Sequence, residues 1–422
     1  MWHPLGVLKS VRASTEKVPL NLIEVILAQG SLPSERHMHQ ALYRSKSADL
    51  PFLKWHRKVA HDNFSFDDIV TELLNFIARQ SVSDEDFNTL AMKLFAHQFE
   101  HNRPFQKFCQ GRGKTPRVVK SWKDIPAVPI NGFKDLTLSC VPPETCARTF
   151  MTSGTTRGDV KGRHFHPTMA VYDASMLRNF AQHVMQGDAK LRMGILFPDE
   201  VLMPNSSLAH YLALALEHFG TPDSAYYLDD QGLRIDALCE ALQDAQKAGE
   251  PFALLGASYS FVHLMDALQA RELHFTLPQG SRLLDTGGFK GQSREIPMDA
   301  FYEQLSATFG VSREQCLNMY GMTELSTQFY DAGNSIVPSV KRGPHWIRSR
   351  LVDPLTGQDV PAGERGILAH TDLANFNSVV TILTEDVGLA NDDGFVLLGR
   401  AEGAQAKGCS MAVDNFLKAA QA

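Results

Sequence analysis

The sequence has little of what marks nucleic-acid-binding, membrane-spanning or disulfide-stabilised proteins. Its 41 Lys and Arg residues are outnumbered by 47 Asp and Glu, and the formal net charge of -6 argues against a general nucleic-acid binder. The chain has no run of 18 consecutive apolar residues, so we predict no membrane-spanning helix. Its six cysteines are scattered without a Cys-x-x-Cys pair, which argues against a zinc site and against a disulfide framework.

The first residues also lack a continuous apolar core followed by a small-residue cleavage site, so we expect no secretory signal. Together with the scattered thiols, this favours a reducing, cytoplasmic setting. What is present is ordinary for a globular protein: 44% of the residues are hydrophobic and 21% are charged, which argues against a disordered or fibrous chain. A length of 422 residues predicts two or three domains at roughly 150 residues each.

Short apolar runs alternate with helical patterns in the middle of the chain. RMGILFP (192–198) is typical of a buried strand, and the segment after it is typical of a helix that ends at Gly220. The same order returns in FALLGASYSFVHLMDAL (252–268) and begins again at SRLLDTGGFK (281–290). This alternation predicts an α/β fold with a doubly wound, mostly parallel sheet and flanking helices. Such sheets bind ligands at the carboxyl ends of their strands.

The regions on either side differ from this core. Apolar residues recur at helical spacing in 66–80, and Ser83 before Glu85 and Asp86 is typical of a capped helix start. After about residue 335, turns marked by Gly and Asp separate short β-prone runs, which predict a small antiparallel β subdomain. The predicted segments are an N-terminal extension with a helical region (1–125), an α/β core (126–335), the β subdomain (336–400) and a tail with Cys409 (401–422).

Segment 151–162 carries the first candidate site. Its glycines let backbone N–H groups approach an anion closely, its hydroxyl side chains add donors, and Lys161 adds a mobile positive charge. That set suits a polyphosphate, although the lysine is not followed by Ser or Thr as in the Walker pattern. The alternative is a flexible Ser/Thr/Gly surface loop. The other candidate phosphate-binding residues are Thr152, Ser153, Gly154, Thr155 and Thr156.

The second candidate site is the segment NMYGMTE (318–324). Tyr320 can stack on a purine ring, Thr323 offers a hydroxyl, and Glu324 offers a hard oxygen ligand for Mg²⁺. The alternative is the start of a helix, in which Thr323 and Glu324 only cap the first turn.

The third candidate site is near the end of the chain. The carboxylate of Asp386 can accept both ribose hydroxyls of a nucleotide, and Arg400 can complement an acidic ligand. The alternative is two strands joined by a turn at 391–394, with no ligand at all. Gly287 and Gly288, after a predicted strand, form a further point of close backbone approach.

These segments together resemble a known group of enzymes. Segment 151–162 and YGMTE (320–324) are similar to the two signature motifs of the acyl-adenylate-forming superfamily, and LTEDVG (383–388) follows in the expected order. Within that superfamily the chain resembles the acyl-protein synthetase (LuxE-type) family. KDIPAVPINGFKD (123–135) is similar to the lead-in of that family, and GRAEGAQAKGCS (399–410) is similar to its cysteine-bearing end.

The resemblance implies that residues 126–335 bind ATP and a carboxylic acid, which we expect to be a fatty acid. Mg²⁺ at Glu324 and the ammonium of Lys161 would neutralise charge at the α-phosphate, while Thr323 would position the reactants. Only residues 401–422 follow the last motif, so we expect no counterpart of the mobile C-terminal domain that most members carry. Further implied residues are Gly321 in the nucleotide site and Asn205, Ser206, Ser207 and His210 in the acyl pocket.

The resemblance also makes Cys409 the expected acceptor of the activated acyl group. Apolar residues at helical spacing predict a helix directly after Cys409, and Ser410 can cap it. A thiol before a helix N-terminus and near Lys407 would ionise readily, and Gly403 and Gly408 would let the tail swing. The alternative from the residues alone is a small side chain that packs the tail helix.

We therefore predict an ATP-dependent ligase that makes an acyl-adenylate, transfers the acyl group to Cys409 and passes it to a partner such as an acyl reductase. One alternative is a stand-alone ligase that delivers the acyl group to coenzyme A or a carrier protein, with Cys409 structural. Another is a nucleotide-binding scaffold without catalysis, which the presence of Lys161, Glu324 and Asp386 disfavours. The identity of the acid, the final acceptor and the oligomeric state are not encoded in any motif.

Overall fold

The computed structural model describes residues 66–152, 160–289 and 291–421. The helices in these ranges, in chain order, are α1 (Phe66–Ala78), α2 (Asp84–His101), α3 (Arg103–Gly111), α4 (Gly132–Asp135), α5 (Ala170–Phe180), α6 (Ser207–Phe219), α7 (Ile235–Ala248), α8 (Ser258–Ala270), α9 (Met298–Phe309) and α10 (Gly403–Gln421). Among the described residues, no helix is both long enough and apolar enough to cross a membrane.

The strands form two large sheets and two short hairpins. In chain order they are β1 (Val128–Pro129), β2 (Arg148–Met151), β3 (Arg163–His166), β4 (Arg192–Leu196), β5 (Ala225–Tyr226), β6 (Leu228–Asp229), β7 (Gly232–Leu233), β8 (Phe252–Ala257), β9 (Arg282–Thr286), β10 (Cys316–Tyr320), β11 (Phe329–Tyr330), β12 (Val340–Lys341), β13 (Ile347–Val352), β14 (Arg365–Asp372), β15 (Thr381–Asn391) and β16 (Gly394–Arg400).

The central sheet confirms the predicted doubly wound architecture. Its strand order is β5-β4-β8-β9-β10-β11, and every pair is parallel except β10 with the edge strand β11. Successive side chains of a strand point to opposite faces. On β8, Leu254 packs with the core of α7, α8 and α9, whereas Ala253 and Leu255 pack with the core of α5 and α6. The order reverses between β4 and β8, and ligands bind near such a reversal, at the carboxyl ends of the strands.

The second sheet confirms the predicted antiparallel pairing in the later part of the chain. Strands β12-β16-β15-β14-β13 pair antiparallel in that order. One strand comes from much earlier in the chain, because β1 pairs in parallel with β15, with Val128 opposite Ile382. The sequence pattern gave no sign of this addition, since two residues are too few to show a period.

One hydrophobic cluster joins the helical region to the antiparallel sheet. It contains Leu73 of α1, Phe108 of α3, Phe133 of α4 and Phe416 of α10. The predicted helix start after Ser83 is confirmed, because its side chain and that of Asp86 form a reciprocal capping box. The division into four segments stays a prediction, since this shared core crosses its boundaries.

Helix α10 corrects the predicted tail. The prediction that it begins after Cys409 with Ser410 as its cap is wrong, because it begins at Gly403 and Ser410 donates to the carbonyl of Ala406 inside it. The Ala, Gln and Lys residues between 404 and 407 are strong helix formers, which explains the longer helix. A Cβ at Gly408 would lie 2.8 Å from Pro354, so this glycine permits close packing against the preceding loop.

Candidate active site

The predicted phosphate-binding loop connects two paired strands. Strands β2 and β3 pair antiparallel, with Met151 opposite Arg163. The ends of the loop are tied together, since the Thr152 N–H donates to the Gly162 carbonyl at 3.0 Å and the Gly162 N–H donates to the Thr152 hydroxyl at 2.9 Å. The base of the loop is therefore fixed by Thr152 itself. The candidates Ser153, Gly154, Thr155 and Thr156 lie outside the described residues.

The end of this loop lies against Glu324. A Cβ at position 162 would come within 3.1 Å of both a Glu324 carboxylate oxygen and the Thr152 methyl group, so the backbone of Gly162 lies close to both side chains. Lys161 is exposed and directly precedes this contact. The base of the predicted phosphate loop thus lies against Glu324, the predicted magnesium ligand.

Glu324 is itself buried, with 4% of its surface exposed. Burial raises its pKa to about 7, although the charges of Lys134 and Arg400 favour the ionised form and Asp386 opposes it. The charges of Lys134, Arg400 and Asp386 therefore all act on this carboxylate. No helix begins at Thr323 or Glu324, so the alternative reading of this segment as a capped helix start is wrong.

The backbone of Thr323 is held by a histidine that the sequence analysis did not single out. Nδ1 of His164, on β3, lies 3.0 Å from the Thr323 carbonyl, and its Nε2 lies 3.1 Å from the Ser378 hydroxyl. A carbonyl only accepts, so Nδ1 carries the proton and Nε2 accepts from Ser378. Burial lowers the pKa of His164 to about 4, which keeps the ring neutral. The sequence signal was the position of His164 in the strand that follows the loop.

A hydrogen bond joins Tyr320 of the second candidate site to Asp386 of the third. The Tyr320 hydroxyl donates to Asp386 at 2.8 Å, and only 8% of the tyrosine is exposed, because the ring packs among Phe329, His370 and Phe395. Aromatic side chains therefore cover most of the Tyr320 ring, and its stacking on a purine stays a prediction.

Arg400 connects Asp386 to its neighbour on β15. Its guanidinium lies 3.3 Å from the Asp386 carboxylate and 2.9 Å from that of Glu385. Glu385 in turn accepts from the Asn131 side chain at 2.5 Å, just before α4. The antiparallel pairing of β15 with β16, closed by Asn391 opposite Gly394, is also present, so the strand reading and the site reading of this segment coexist.

The carboxyl ends of the parallel strands contribute exposed backbone. Gly287 directly follows β9 with φ of +78°, and a Cβ at Gly288 would meet open space. Gly321, directly after β10, is exposed. The Thr286 hydroxyl donates to the Met319 carbonyl at 2.9 Å and so ties the two strand ends together. A ligand can therefore reach backbone groups at both ends.

Two of the residues expected to line an acyl pocket have structural partners. Ser206 caps α6 by accepting from the Ala209 N–H, and the imidazole nitrogens of His210 lie 2.8 Å from Asp173 and 2.8 Å from Glu200. Burial opposes a charged His210, but the bonds to the two carboxylates outweigh it and raise its pKa. The assignment of Asn205, Ser206, Ser207 and His210 to an acyl pocket stays a prediction.

Cys409 occupies an apolar seat. It is 3% exposed and packs with Leu383 and Val387 of β15 and Ala412 of α10. Burial raises the pKa of its thiol to about 11, and the nearby carboxylates Glu385 and Asp386 add to the effect. The predicted thiolate at a helix N-terminus is wrong for this conformation, because the thiol lies inside the helix and against apolar side chains.

Cys409 and Asp386 also lie on different faces of β15. Leu383 and Val387, which contact the Cys409 cluster, alternate with Ile382, which belongs to the cluster that contains Tyr320. Because the pairing of β15 shifts between Leu383 and Val387, alternation alone does not assign Asp386, but its carboxylate accepts from Tyr320 of the same cluster as Ile382. The structure therefore gathers Glu324, Asp386, Arg400 and the base of the Lys161 loop on one face, and places Cys409 on the other.

Comparison with known proteins first defines the class. The fold is similar to that of 2-hydroxyisobutyryl-CoA ligase, solved in an open conformation with 2-HIB-AMP and CoA, with a TM-score of 0.56 and 16% identity over 75% of this chain and 69% of that one. The same enzyme in its postadenylation state gives a TM-score of 0.57 over 75% of this chain and 67% of that chain. The architecture is thus that of the acyl-adenylate-forming ligases.

The chain belongs to the acyl-protein synthetase LuxE family, which matches residues 61–418. It is 23% identical to the long-chain-fatty-acid–luciferin-component ligase of Vibrio harveyi, over 79% of this chain and 88% of that protein. It is 21% identical to the ligase of the same name from Aliivibrio fischeri, over 72% and 79%. The predicted family and enzyme class, an acyl-adenylate-forming ligase, are confirmed. The roles of individual site residues stay predictions.

Proposed function

We propose that this enzyme uses ATP and Mg²⁺ to convert a fatty acid into an acyl-adenylate, transfers the acyl group to Cys409 and passes it to a protein partner such as an acyl reductase. The observation that carries the first step is the gathering of charged groups around Glu324. The charges of Asp386 and Arg400 act on it, and the base of the Lys161 loop lies against it.

In the first step, a carboxylate oxygen of the acid attacks the α-phosphorus of ATP. The bond from that phosphorus to the bridging oxygen breaks, and pyrophosphate leaves with the electron pair. Such transfers depend on positioning and on neutralising charge more than on covalent help from the protein. Lys161 and the glycine-rich loop would hold the departing phosphates, Thr323 would orient the acid, and Asp386 with Arg400 would contact the nucleoside.

Glu324 would hold a magnesium ion, whose charge would offset that of the substrate phosphates. Mg²⁺ commonly uses one or two carboxylates together with phosphate oxygens and water, and it supplies charge neutralisation when bound. The described residues hold no group of three or more His, Cys, Asp or Glu side chains that could form a metal cage. A site completed by the nucleotide is therefore the arrangement that these residues support.

In the second step, the Cys409 sulfur attacks the acyl carbonyl and AMP leaves. The thiol must first reach the adenylate, because it is buried on the far face of β15. We propose that α10 leaves its seat after adenylation, which would expose the thiol and restore a pKa closer to its ordinary value. The acyl group would then pass from sulfur to the partner.

The adenylation step is tested by exchange of labelled pyrophosphate into ATP. With Mg²⁺ and fatty acids of graded length, the enzyme should catalyse exchange that depends on the acid. A complete lack of exchange with every fatty acid and with aryl and short-chain acids would contradict the proposed activation.

The transfer step is tested with radiolabelled fatty acid, ATP and Mg²⁺. Wild-type protein should carry a label that survives a denaturing gel and is released by hydroxylamine. Cys409→Ala should lose the label and keep pyrophosphate exchange, whereas Cys146→Ala, at a partly buried thiol away from the seat, should keep both. Labelling of Cys409→Ala at the wild-type level would refute the thioester.

The buried seat of Cys409 also favours a second function. If α10 stays docked, the thiol is structural and the acyl group goes to coenzyme A or a carrier-protein phosphopantetheine. Thioester formation on an added thiol, unchanged in Cys409→Ser, would support this alternative and exclude the covalent intermediate.

A further inference from the structure

Helix α4 lies between the two segments that build the site. On one side, the backbone N–H of Ile130 donates to the Leu383 carbonyl at 2.9 Å, and the side chain of Asn131 donates to Glu385. These contacts fix α4 to β15, next to Asp386. The lead-in segment therefore serves as part of the site wall.

On its other side, α4 packs against His164, the residue that holds the backbone of Thr323. The ring of Phe133 packs edge-on against His164, with centroids 5.7 Å apart, and His164 bonds to the Thr323 carbonyl. Phe133 is buried, whereas the next residue, Lys134, is exposed. Since Asn131 is bonded to Glu385 and Phe133 packs on His164, the exposed Lys134 follows directly from a segment anchored to both β15 and the support of Thr323.

The excess of negative charge in the site would be offset by a further cation such as Lys134. Glu324, Glu385 and Asp386 place three carboxylates in this region, and a nucleotide triphosphate and an ionised acid would add more negative charge. Arg400 is already engaged by Glu385 and Asp386. Lys134 is exposed, and a lysine ammonium stands on a flexible four-carbon stem, which suits a contact that forms only when substrate binds.

We propose that Lys134 is a catalytic residue of the adenylation step, whose ammonium binds the α-phosphate between Glu324 and β15. This assignment rests on the proposed function. As the carboxylate oxygen attacks the α-phosphorus and pyrophosphate leaves, negative charge on the non-bridging oxygens would be stabilised by Lys134. No proton is transferred in this step, so Lys134 acts by charge alone.

The test compares pyrophosphate exchange by the full-length wild type, Lys134→Met and Lys134→Arg. Lys134→Met should lower the kcat of exchange about 100-fold, the size of effect seen when one charge-stabilising donor is removed from an active site. Lys134→Arg keeps the charge and should recover at least part of the rate. The KM for the fatty acid should change much less than kcat, because the contact stabilises the reacting phosphate.

Lys123→Met is the matched control, because Lys123 is an exposed lysine of the same lead-in segment whose ammonium lies over the Trp122 ring. It should exchange at the wild-type rate, and all variants should unfold at similar urea concentrations. If the wild type exchanges and Lys134→Met exchanges equally fast, the assignment of Lys134 is wrong while the proposed function stands. If the wild type fails with every acid, the proposed function itself is wrong. A loss in Lys134→Met that Lys134→Arg does not relieve at all would overturn the charge role.

Discussion

The face of β15 that carries Asp386 and the face that seats Cys409 differ in almost every physical respect. On the first, the charges of Lys134, Arg400 and Asp386 act on the buried Glu324, and Arg400 forms an ion pair with Asp386. On the second, the thiol packs against Leu383 and Val387 and its pKa is raised to about 11. The first face is prepared for a charged ligand, whereas the second keeps its reactive group protonated and covered.

This difference teaches that the two proposed half-reactions cannot share one conformation. Adenylation needs the charged face and no thiol, whereas thioester formation needs a thiol that is ionised and within reach. A protonated, covered Cys409 reacts slowly with alkylating and oxidising agents. The comparison becomes testable once each face is perturbed separately.

The largest effect should come from the residue that holds the tail. Phe416 is fully buried against Phe108, with ring centroids 4.7 Å apart. Phe416→Ala should lower the free energy of unfolding by about 3–5 kcal/mol, the usual cost of truncating a buried phenylalanine. By loosening α10, it should also speed alkylation of Cys409, measured by peptide mass spectrometry.

Phe252→Ala is the matched control, since Phe252 is equally buried but lies in the core of the central sheet. It should destabilise the protein to a similar extent without a similar gain in Cys409 alkylation under native conditions. Equal alkylation in the two variants would show that global unfolding, and not release of the tail, exposes the thiol.

The next effect concerns the charged face. Glu324→Gln should slow pyrophosphate exchange by about 10²–10³-fold, because it removes the carboxylate proposed to hold Mg²⁺. The rate of Cys409 alkylation should not change. Glu364→Gln, at an exposed position, serves as the control for exchange. Loss of exchange together with faster alkylation would break the separation of the two faces.

The pH dependence of the unfolding free energy should reveal the cost of ionising the buried Glu324. Its pKa is raised from 4.5 to about 7 in the folded protein, so ionising it costs folding free energy, about 3 kcal/mol at most, since each pKa unit corresponds to about 1.36 kcal/mol. The proton contributes stability that is fully present below pH 4.5 and lost as the pH rises through 7. Glu324→Gln should therefore be more stable than wild type at pH 8 and equal to it near pH 4.5.

Urea unfolding at several pH values between 4.5 and 8 measures this difference. A difference between the two proteins that does not vary with pH would mean that Glu324 titrates normally in the folded state. It would also weaken the proposal that the buried Glu324 binds a cation.

The smallest effect is expected away from both faces. Ser83→Ala removes the N-cap of α2 and should cost about 1 kcal/mol in unfolding free energy. Neither pyrophosphate exchange nor Cys409 alkylation should change. A change in either would show that α2 transmits its stability to the site, so this variant sets the baseline for the other predictions.

The central fold was predictable because its signals are local. Strand β14 coincides with the run RGILAHTD, and α6 ends before Gly220, as the period and the glycine indicate. The approach of the 151–162 and 318–324 segments also followed from their order and the resemblance, and the contact of Gly162 with Glu324 agrees with it.

The parts that sequence reasoning missed depend on long-range packing. An aromatic residue in a motif looks the same whether it faces a ligand or a core, and only the positions of Phe329 and Phe395 reveal that Tyr320 is enclosed. Likewise, two glycines before Cys409 concealed the helix formers between them, so the thiol was expected just before α10 and not inside it. The pairing of β1 with β15 has no local signal at all.

Gly132 of α4 lies in close contact with the tail helix α10. A Cβ there would lie 2.5 Å from the Phe416 ring, so the tail rests directly on the backbone of α4, two residues from Lys134. The proposed release of α10 would remove this contact with the helix that carries Lys134. Through the Phe416 ring, the position of the tail would then affect the position of Lys134.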